Sequence, residues 1–124
     1  MNILGIGVDL VEVERIAAAI GRHGALFLRR LYTEREIESC GSRYERLAAR
    51  FAAKEAVAKA FGTGIGAEMA FQEIEVVNDP SGQPRIELHG TAAATAARRG
   101  VNQIHLSLSH TTAHAIAYVV IVGT

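Results

Sequence analysis

The sequence predicts an α+β fold. Three patterns favour this class: an alternating strand near the start, an alanine-rich helix in the middle, and two strand pairs separated by a short helix. The chain has 124 residues and shows no internal repeat, low-complexity tract or linker. We therefore expect a single domain over residues 1–124.

The first strand and helix follow from hydrophobic periodicity. In residues 2–11, apolar side chains alternate with others as in a strand. One face of this strand carries Gly5, Gly7 and Asp9. Its apolar face consists of Leu4, Ile6, Val8 and Leu10. Residues 12–20 then follow the helical period, and Gly21 is a plausible end for that helix.

Capping signals predict where the next helices begin. The segments 33–36 (TERE) and 42–45 (SRYE) both match a capping box. The second box is expected to open a long helix that contains RFAAKEAVAKAF, and Gly62 is expected to end it.

The second half of the chain predicts strands with one more helix. Residues 71–79 and 84–89 read as strands joined by a turn, and residues 90–100 read as a short helix. Two further strands follow, joined by a tight turn near His110. The last one is apolar on both faces from Ala115 to Val122, which is typical of a central strand or a subunit interface.

Composition excludes some classes of function. The 13 basic and 13 acidic residues cancel, so no global field favours nucleic acid or a membrane. Between Arg15 and Thr33, however, four arginines and His23 occur without an acid, which indicates either an acidic partner or a solvated face. The lone Cys40 excludes an intrachain disulfide, and the sequence lacks a signal peptide and a membrane-length apolar run. We expect a cytoplasmic protein.

Asp9 is the first charged residue that needs an explanation. A carboxylate within an apolar strand is costly unless it is paired or binds a metal. The neighbouring Gly5 and Gly7 leave space that a ligand or another backbone can approach. The plainer interpretation is that Asp9 caps the helix that follows.

Glu55 and Lys59 form the second unusual group. They lie four positions apart, so on a helix they project within roughly 40° of each other. Alanines surround them, while Arg46, Arg50 and Lys54 form a basic stripe on another sector. Taken alone, Glu55 and Lys59 fit an ordinary helix ion pair.

Together these residues indicate a cation and phosphate site. Two carboxylates, Asp9 and Glu55, suit Mg²⁺, which usually completes its shell with water and substrate phosphates. Lys59 would then offset phosphate charge. This hypothesis requires the first strand to lie beside the long helix.

The histidines give a weaker signal. His105 and His110 differ by an odd number, so they face opposite sides of one straight strand. A three-histidine metal site with His114 is therefore disfavoured. The segment SHTTAH reads equally well as a functional loop or as a plain hairpin turn.

The motifs GIGVDL, RFAAKEAVAKAFGTGIG and LSLSHT resemble those of the holo-acyl-carrier-protein synthases, small bacterial phosphopantetheinyl transferases. The resemblance covers nearly the whole chain. It implies the phosphopantetheinyl transferase fold, a small antiparallel-rich sheet packed with one long and several short helices. It also implies a homotrimer with active sites at subunit interfaces.

The same resemblance implies a reaction and its residues. The reaction is Mg²⁺-dependent transfer of 4′-phosphopantetheine from coenzyme A to a serine of apo acyl carrier protein, in fatty acid biosynthesis. The metal ligands carry over to Asp9 and Glu55, and the substrate-contacting lysine to Lys59. The implied coenzyme A contacts are Arg50, Lys59, His110 and Thr111. The implied carrier-docking residues are Arg15, Arg22, Phe27 and Arg30.

Two questions stay open at this level. Glu55, directly or through a water, is the first choice for the base that deprotonates the serine, and His110 is the competing candidate. The carrier could instead belong to polyketide or peptide synthesis. An inactive module that binds coenzyme A or a carrier is the alternative from another functional class.

Overall fold

Five strands and four helices build the protein in the computed structural model, which describes all residues from Met1 to Thr124. A 3₁₀ turn at Phe71–Glu73 precedes the second strand. The elements are β1 (Asn2–Glu12), α1 (Val13–Leu31), α2 (Glu34–Cys40), α3 (Tyr44–Phe61), β2 (Ile74–Asn78), β3 (Pro84–Leu88), α4 (Gly90–Arg98), β4 (Val101–His110) and β5 (His114–Gly123). The predicted α+β class is confirmed.

The main sheet has three antiparallel strands in the order β1-β5-β4. The central strand is β5, as its two apolar faces predict. The register runs from Asn2 opposite Gly123 to Glu12 opposite His114. Strands β2 and β3 form a separate antiparallel hairpin.

Helix α3 lies unusually close to β1. A Cβ added to Gly7 would lie 1.9 Å from the carbonyl oxygen of Ala56, and one added to Gly5 would lie 2.0 Å from that of Ala60. The glycines therefore admit another backbone, one of the two possibilities that the sequence left open. Alanines on the facing side of α3 complete this contact and are fully or almost fully buried. The required proximity of the first strand and the long helix is present.

Lys54 is not part of a solvated basic stripe. Its side chain is completely buried and donates to Glu36 Oε1 at 2.7 Å and to the carbonyls of Phe71 and Ile74 at 2.8 and 2.6 Å. The other oxygen of Glu36 accepts the backbone N–H of Val76 at 2.9 Å. Two of the three residues of the predicted stripe, Arg50 and Lys54, are buried because α2 and β2 pack against α3.

Helix α1 is longer than the sequence predicts. It continues past Gly21 to Leu31, with a break at Gly24, where φ is +63° and ψ is −145°. This backbone conformation is essentially restricted to glycine. Gly21 does not end the helix because its backbone stays helical, and a single glycine inside a helix costs only about 1 kcal/mol relative to alanine.

The other local signals have mixed outcomes. The capping box at Thr33 and Glu36 is present, and Gly62 ends α3 in the left-handed conformation. The second box does not form, since α3 begins after Arg43 without a side-chain cap. The predicted strand over 71–79 starts only at Ile74, because the 3₁₀ turn occupies its first residues.

The outer face of the main sheet is apolar and exposed. It carries side chains of β1 and β5 that no other element covers, namely Ile6, Val8, Leu10, Ile116 and Tyr118, exposed by 39–64%. None of the helices has both the length and the apolar character needed to cross a membrane.

Candidate active site

Asp9 and Lys59 meet where β1 passes along α3. The Lys59 ammonium donates to Asp9 Oδ1 at 2.9 Å and to the carbonyl of Val8 at 3.0 Å. Lys59 therefore pairs with β1 and not with Glu55. The ordinary ion pair between Glu55 and Lys59 within the helix does not form. Asp9 does not cap α1 either, because the residue before that helix is Glu12, which makes no side-chain cap bond.

Glu55 lies beside this pair as a half-buried carboxylate without a hydrogen bond from any protein group. Burial raises its pKa, the charge of Asp9 raises it further, and Lys59 lowers it. The carboxylates of Asp9 and Glu55 are thus neighbours, and the one ammonium nearby, that of Lys59, pairs with Asp9. This arrangement fits a hard cation, since Mg²⁺ commonly takes one or two carboxylates and leaves the other positions open.

A groove of about 540 Å³ opens next to Asp9 and Glu55, between α1 and α3. Its walls are mainly apolar, and Arg15 contributes a charge at its edge. The apolar lining residues are Leu10, Val11, Ile16, Ala19, Phe27, Leu31, Phe51 and Phe71. An extended, largely apolar chain with a polar end suits such a groove.

The four predicted docking residues all lie on α1. Arg15 and Phe27 line it. Arg22 and Arg30 are exposed and make no ion pair. The structure thus places one arginine of the acid-free segment, Arg15, in the same groove as Asp9 and Glu55.

Arg50 belongs to a different location. Five positions separate it from Glu55, so the two side chains leave α3 about 140° apart. Its guanidinium is only 5% exposed, lacks an acid partner, and makes one long bond of 3.4 Å to Ser39 Oγ, while its Nε has no partner. A buried guanidinium of this kind is a strong site for an anion.

His110 and Thr111 lie at the end of β4, on the sheet edge opposite β1. His110 is opposite Ala115 of β5 and so shares the inner face of the sheet, and it is exposed. Thr111 Oγ1 accepts the backbone N–H groups of Ala113 and His114 at 3.2 and 3.1 Å, which shapes the turn. Two strand spacings, about 10 Å, separate β4 from β1.

The predicted residues therefore fall into two groups. The β1 group contains Asp9, Glu55 and Lys59 with the groove, and the β4 group contains His110 and Thr111. Arg50 leaves α3 on the side away from the β1 group. One protomer does not bring all of these residues together.

Two other groups of residues could in principle hold a metal ion: the histidines around β4, and Glu75, Glu87 and His89. His105 lies opposite Val120 on the outer face, so it cannot join His110, as predicted. Glu75, Glu87 and His89 lie close enough to share an ion. Arg35 already occupies this cluster, with Nη2 at 2.6 Å from Glu75 and 2.9 Å from Glu87, so the cluster is already neutralised.

Sequence reasoning missed most of the groove. Phe51 is not singled out by the sequence, and Phe71 was predicted within a strand. Their rings stack with centroids 5.5 Å apart and form one wall. The periodicity of each segment could not reveal this wall, because it joins a helix to a turn twenty positions away.

Comparisons with known proteins identify the family of the chain. The model of the 4′-phosphopantetheinyl transferase superfamily matches residues 5–119. The chain is 50% identical over 124 residues to the holo-[acyl-carrier-protein] synthase of Desulforudis audaxviator, covering 98% of this chain and 94% of that protein. It is 48% identical over 122 residues to the synthase of Koribacter versatilis, covering 96% and 98%.

Solved structures give the same result. The holo-[acyl-carrier-protein] synthase of Neisseria meningitidis superposes with a TM-score of 0.90 at 34% identity, covering 97% of this chain and 98% of that one. The Helicobacter pylori synthase, solved in complex with coenzyme A, gives 0.87 at 33% identity, covering 94% and 99%.

Proposed function

The chain belongs to the 4′-phosphopantetheinyl transferase superfamily as a holo-[acyl-carrier-protein] synthase, and we propose that its reaction takes place at Asp9, Glu55 and Lys59. The serine oxygen of apo acyl carrier protein would form a bond to the phosphorus that carries the pantetheine. The bond from that phosphorus to the other phosphate of coenzyme A would break, and adenosine 3′,5′-bisphosphate would leave. The observation that carries this proposal is the unpaired carboxylate of Glu55 beside the Asp9–Lys59 pair.

Asp9 and Glu55 are the residues that would hold Mg²⁺. When bound there, the ion would neutralise negative charge that develops on the pyrophosphate. Burial and, after it, the charge of Asp9 raise the pKa of Glu55. The same cation would relieve the repulsion between the two carboxylates.

Lys59 and Glu55 have separate roles in the proposed reaction. The Lys59 ammonium, at 2.9 Å from Asp9, lies where it can stabilise the departing phosphate. Glu55 would accept the proton of the serine hydroxyl, a role that a raised pKa favours. His110 is the alternative base, but it lies across the sheet from Asp9 and would have to act from another protomer.

The separation of the two residue groups supports a shared site. We propose that one coenzyme A molecule contacts the β1 group of one protomer through its pyrophosphate and the β4 group, together with Arg50, of a neighbour through its adenosine bisphosphate. The exposed apolar face of β1 and β5 supplies a surface for assembling a homotrimer.

We propose that the carrier is that of fatty acid biosynthesis and that the protein works in the cytoplasm. The alternative carriers are those of polyketide or peptide synthesis. Arg15, Arg22 and Arg30 are free to attract an acidic carrier, an effect that mainly speeds encounter. Phe27 adds an apolar contact at the same surface.

Mass spectrometry of the carrier tests the function directly. The protein is mixed with coenzyme A, Mg²⁺ and apo acyl carrier protein, and a mass gain of one phosphopantetheine is expected. An unmodified carrier, where an authentic synthase modifies it, would refute the proposal. A panel of carriers ranked by kcat/KM distinguishes the fatty acid carrier from the alternatives.

Removing either carboxylate tests the metal assignment. Asp9→Ala and Glu55→Ala should each lower turnover by about 100-fold or more, the scale on which a charge-stabilising group acts. Circular dichroism should show an intact fold. Glu38→Ala, which removes an exposed carboxylate of α2, is the matched control and should keep full activity. Near-normal turnover of either site variant with Mg²⁺ would contradict the assignment.

Charge reversal on α1 tests the docking surface. Arg22→Glu should raise KM for the carrier about tenfold, because like charges then oppose the encounter, and should leave KM for coenzyme A nearly unchanged. Arg15→Glu should act in the same way. Arg98→Glu, at an exposed position of α4, is the control. Equal effects on both substrates would argue against a carrier-specific surface.

A further inference from the structure

The second half of α1 is a separate segment of the molecule. The break at Gly24 divides the helix, and residues 25–31 follow in a new direction. Phe27 and Leu31 of this segment line the groove beside Asp9 and Glu55. The position of the segment therefore sets the width of the groove.

The 3₁₀ turn at Phe71–Glu73 lies opposite this segment and is held in place by hydrogen bonds. Lys54 holds the carbonyl of Phe71 at 2.8 Å from within the core. The Glu73 carboxylate accepts the N–H groups of Ala70 at 3.1 Å and Thr91 at 2.6 Å. These hydrogen bonds keep the backbone on both sides of Gln72 in place.

Gln72 connects the 3₁₀ turn to the segment 25–31. Its side chain is exposed, and its amide nitrogen donates to the backbone carbonyl of Arg29 and, at 3.4 Å, to that of Tyr32. Carbonyls in the last turn of a helix have no partner within the helix, so an external donor there is valuable. The bond from Gln72 to the Arg29 carbonyl is the one side-chain hydrogen bond between residues 25–31 and the rest of the chain.

We propose that Gln72 is a positioning residue for the carrier-binding groove, holding the segment 25–31 against the 3₁₀ turn. The inference rests on the proposed function, because Arg15 and Phe27, which line the groove, are carrier-docking residues only on that basis. Gln72 touches neither of the residues assigned to the metal nor Lys59, so its effect is expected on carrier recognition and not on the chemical step.

Gln72→Met tests this role because methionine keeps the length of the side chain and removes the donor. KM for the carrier should rise about three- to tenfold, the range expected for losing one hydrogen bond. The values of kcat and KM for coenzyme A should stay within about twofold of wild type. Gln83→Met, in the exposed β2–β3 turn, is the matched control and should change neither constant.

Hydrogen exchange supplies a readout that does not depend on activity. Amides of residues 25–31 should exchange faster in Gln72→Met, while those of residues 13–23 and of α3 should not change. Unchanged exchange in residues 25–31, or equal rises in both KM values, would overturn the proposal. Failure of the wild-type protein to modify any carrier would refute the proposed function instead, and exchange would still test the connection made by Gln72.

Discussion

Gly7 shows at the scale of one residue how the site is built. The absence of a side chain there lets α3 descend onto β1 until the carbonyl of Ala56 occupies the place of a Cβ atom. Two positions further along the strand, this approach brings Asp9 within hydrogen-bond distance of Lys59. The close packing of strand and helix is thus a condition for the charged site.

Gly7→Ala should destabilise the protein by about 3 kcal/mol or more, at the upper end of the range for overpacked cores, because the obstructing atoms are backbone. Denaturant unfolding measures the change. Gly21→Ala is the control, since open space surrounds Gly21 on α1, and it should increase stability by about 0.5–1 kcal/mol. A tolerated Gly7→Ala variant would contradict the described contact.

Single residues also show what sequence could predict. Asp9 and Glu55 were identifiable because a carboxylate is unexpected among apolar residues. The burial of Lys54 could not be predicted, because its partner Glu36 lies eighteen positions away and its other acceptors are backbone carbonyls. The same lysine on the same helix would be a solvated residue if α2 packed elsewhere.

Among the elements, α2 is connected to the β2–β3 hairpin mainly through Glu75. This side chain accepts from Thr33, the cap of α2, at 2.5 Å and from Arg35 Nη2 at 2.6 Å, and it contacts His89 at 2.9 Å. The hydrogen bond from Arg35 is the largest cause that lowers the pKa of Glu75 to about 2, followed by those from Thr33 and His89, against an opposing effect of burial.

The pH dependence of stability follows from that lowered pKa. A carboxyl with a lowered pKa in the folded state contributes stability above its ordinary pKa, and the contribution is lost as pH falls. Glu75→Gln should therefore be less stable than wild type by about 1–3 kcal/mol at pH 7. The difference should shrink between pH 4.5 and about 2.

Urea unfolding at several pH values measures this difference. Glu38→Gln, at an exposed position of α2, controls for removal of a carboxylate without these hydrogen bonds. A gap between wild type and Glu75→Gln that stays constant down to pH 2 would contradict the role assigned to the Glu75 contacts.

Predictions of elements succeeded where one local signal decides the outcome. The capping box at Thr33 and the end at Gly62 depend only on neighbouring residues. The length of α1 depends instead on tertiary contacts of Leu31 and Tyr32, which are almost fully buried far from Gly21. Local glycine signals could not reveal that the helix continues after a break.

At the scale of the whole molecule, the two groups of predicted residues lie on opposite edges of one sheet. The β1 group faces the groove, and the β4 group lies beyond β5. Under the proposed function, a neighbouring protomer supplies the second group. The family resemblance predicts such sharing, and it stays a prediction that the following experiment tests.

Co-expression of two inactive variants tests the shared site. Glu55→Ala disables the β1 group and His110→Ala the β4 group, and each alone should be inactive. In randomly mixed trimers about one quarter of the sites combine two intact groups, so activity should return to about a quarter of wild type. Mixing the purified homo-oligomers without exchange is the control. Absence of any recovery in co-expressed trimers would argue for sites within single protomers.

The pairing of β1 with β5 also constrains how the protein is made. Every hydrogen bond of β1 within the sheet goes to β5, which leaves the ribosome only after all of the helices. Contacts between such distant parts of a chain slow folding. The strand that carries Asp9 must therefore wait as an unpaired apolar edge during translation, when it is open to aggregation or to chaperones. The capacity for catalysis would then appear in a single late step and would not accumulate gradually on the nascent chain.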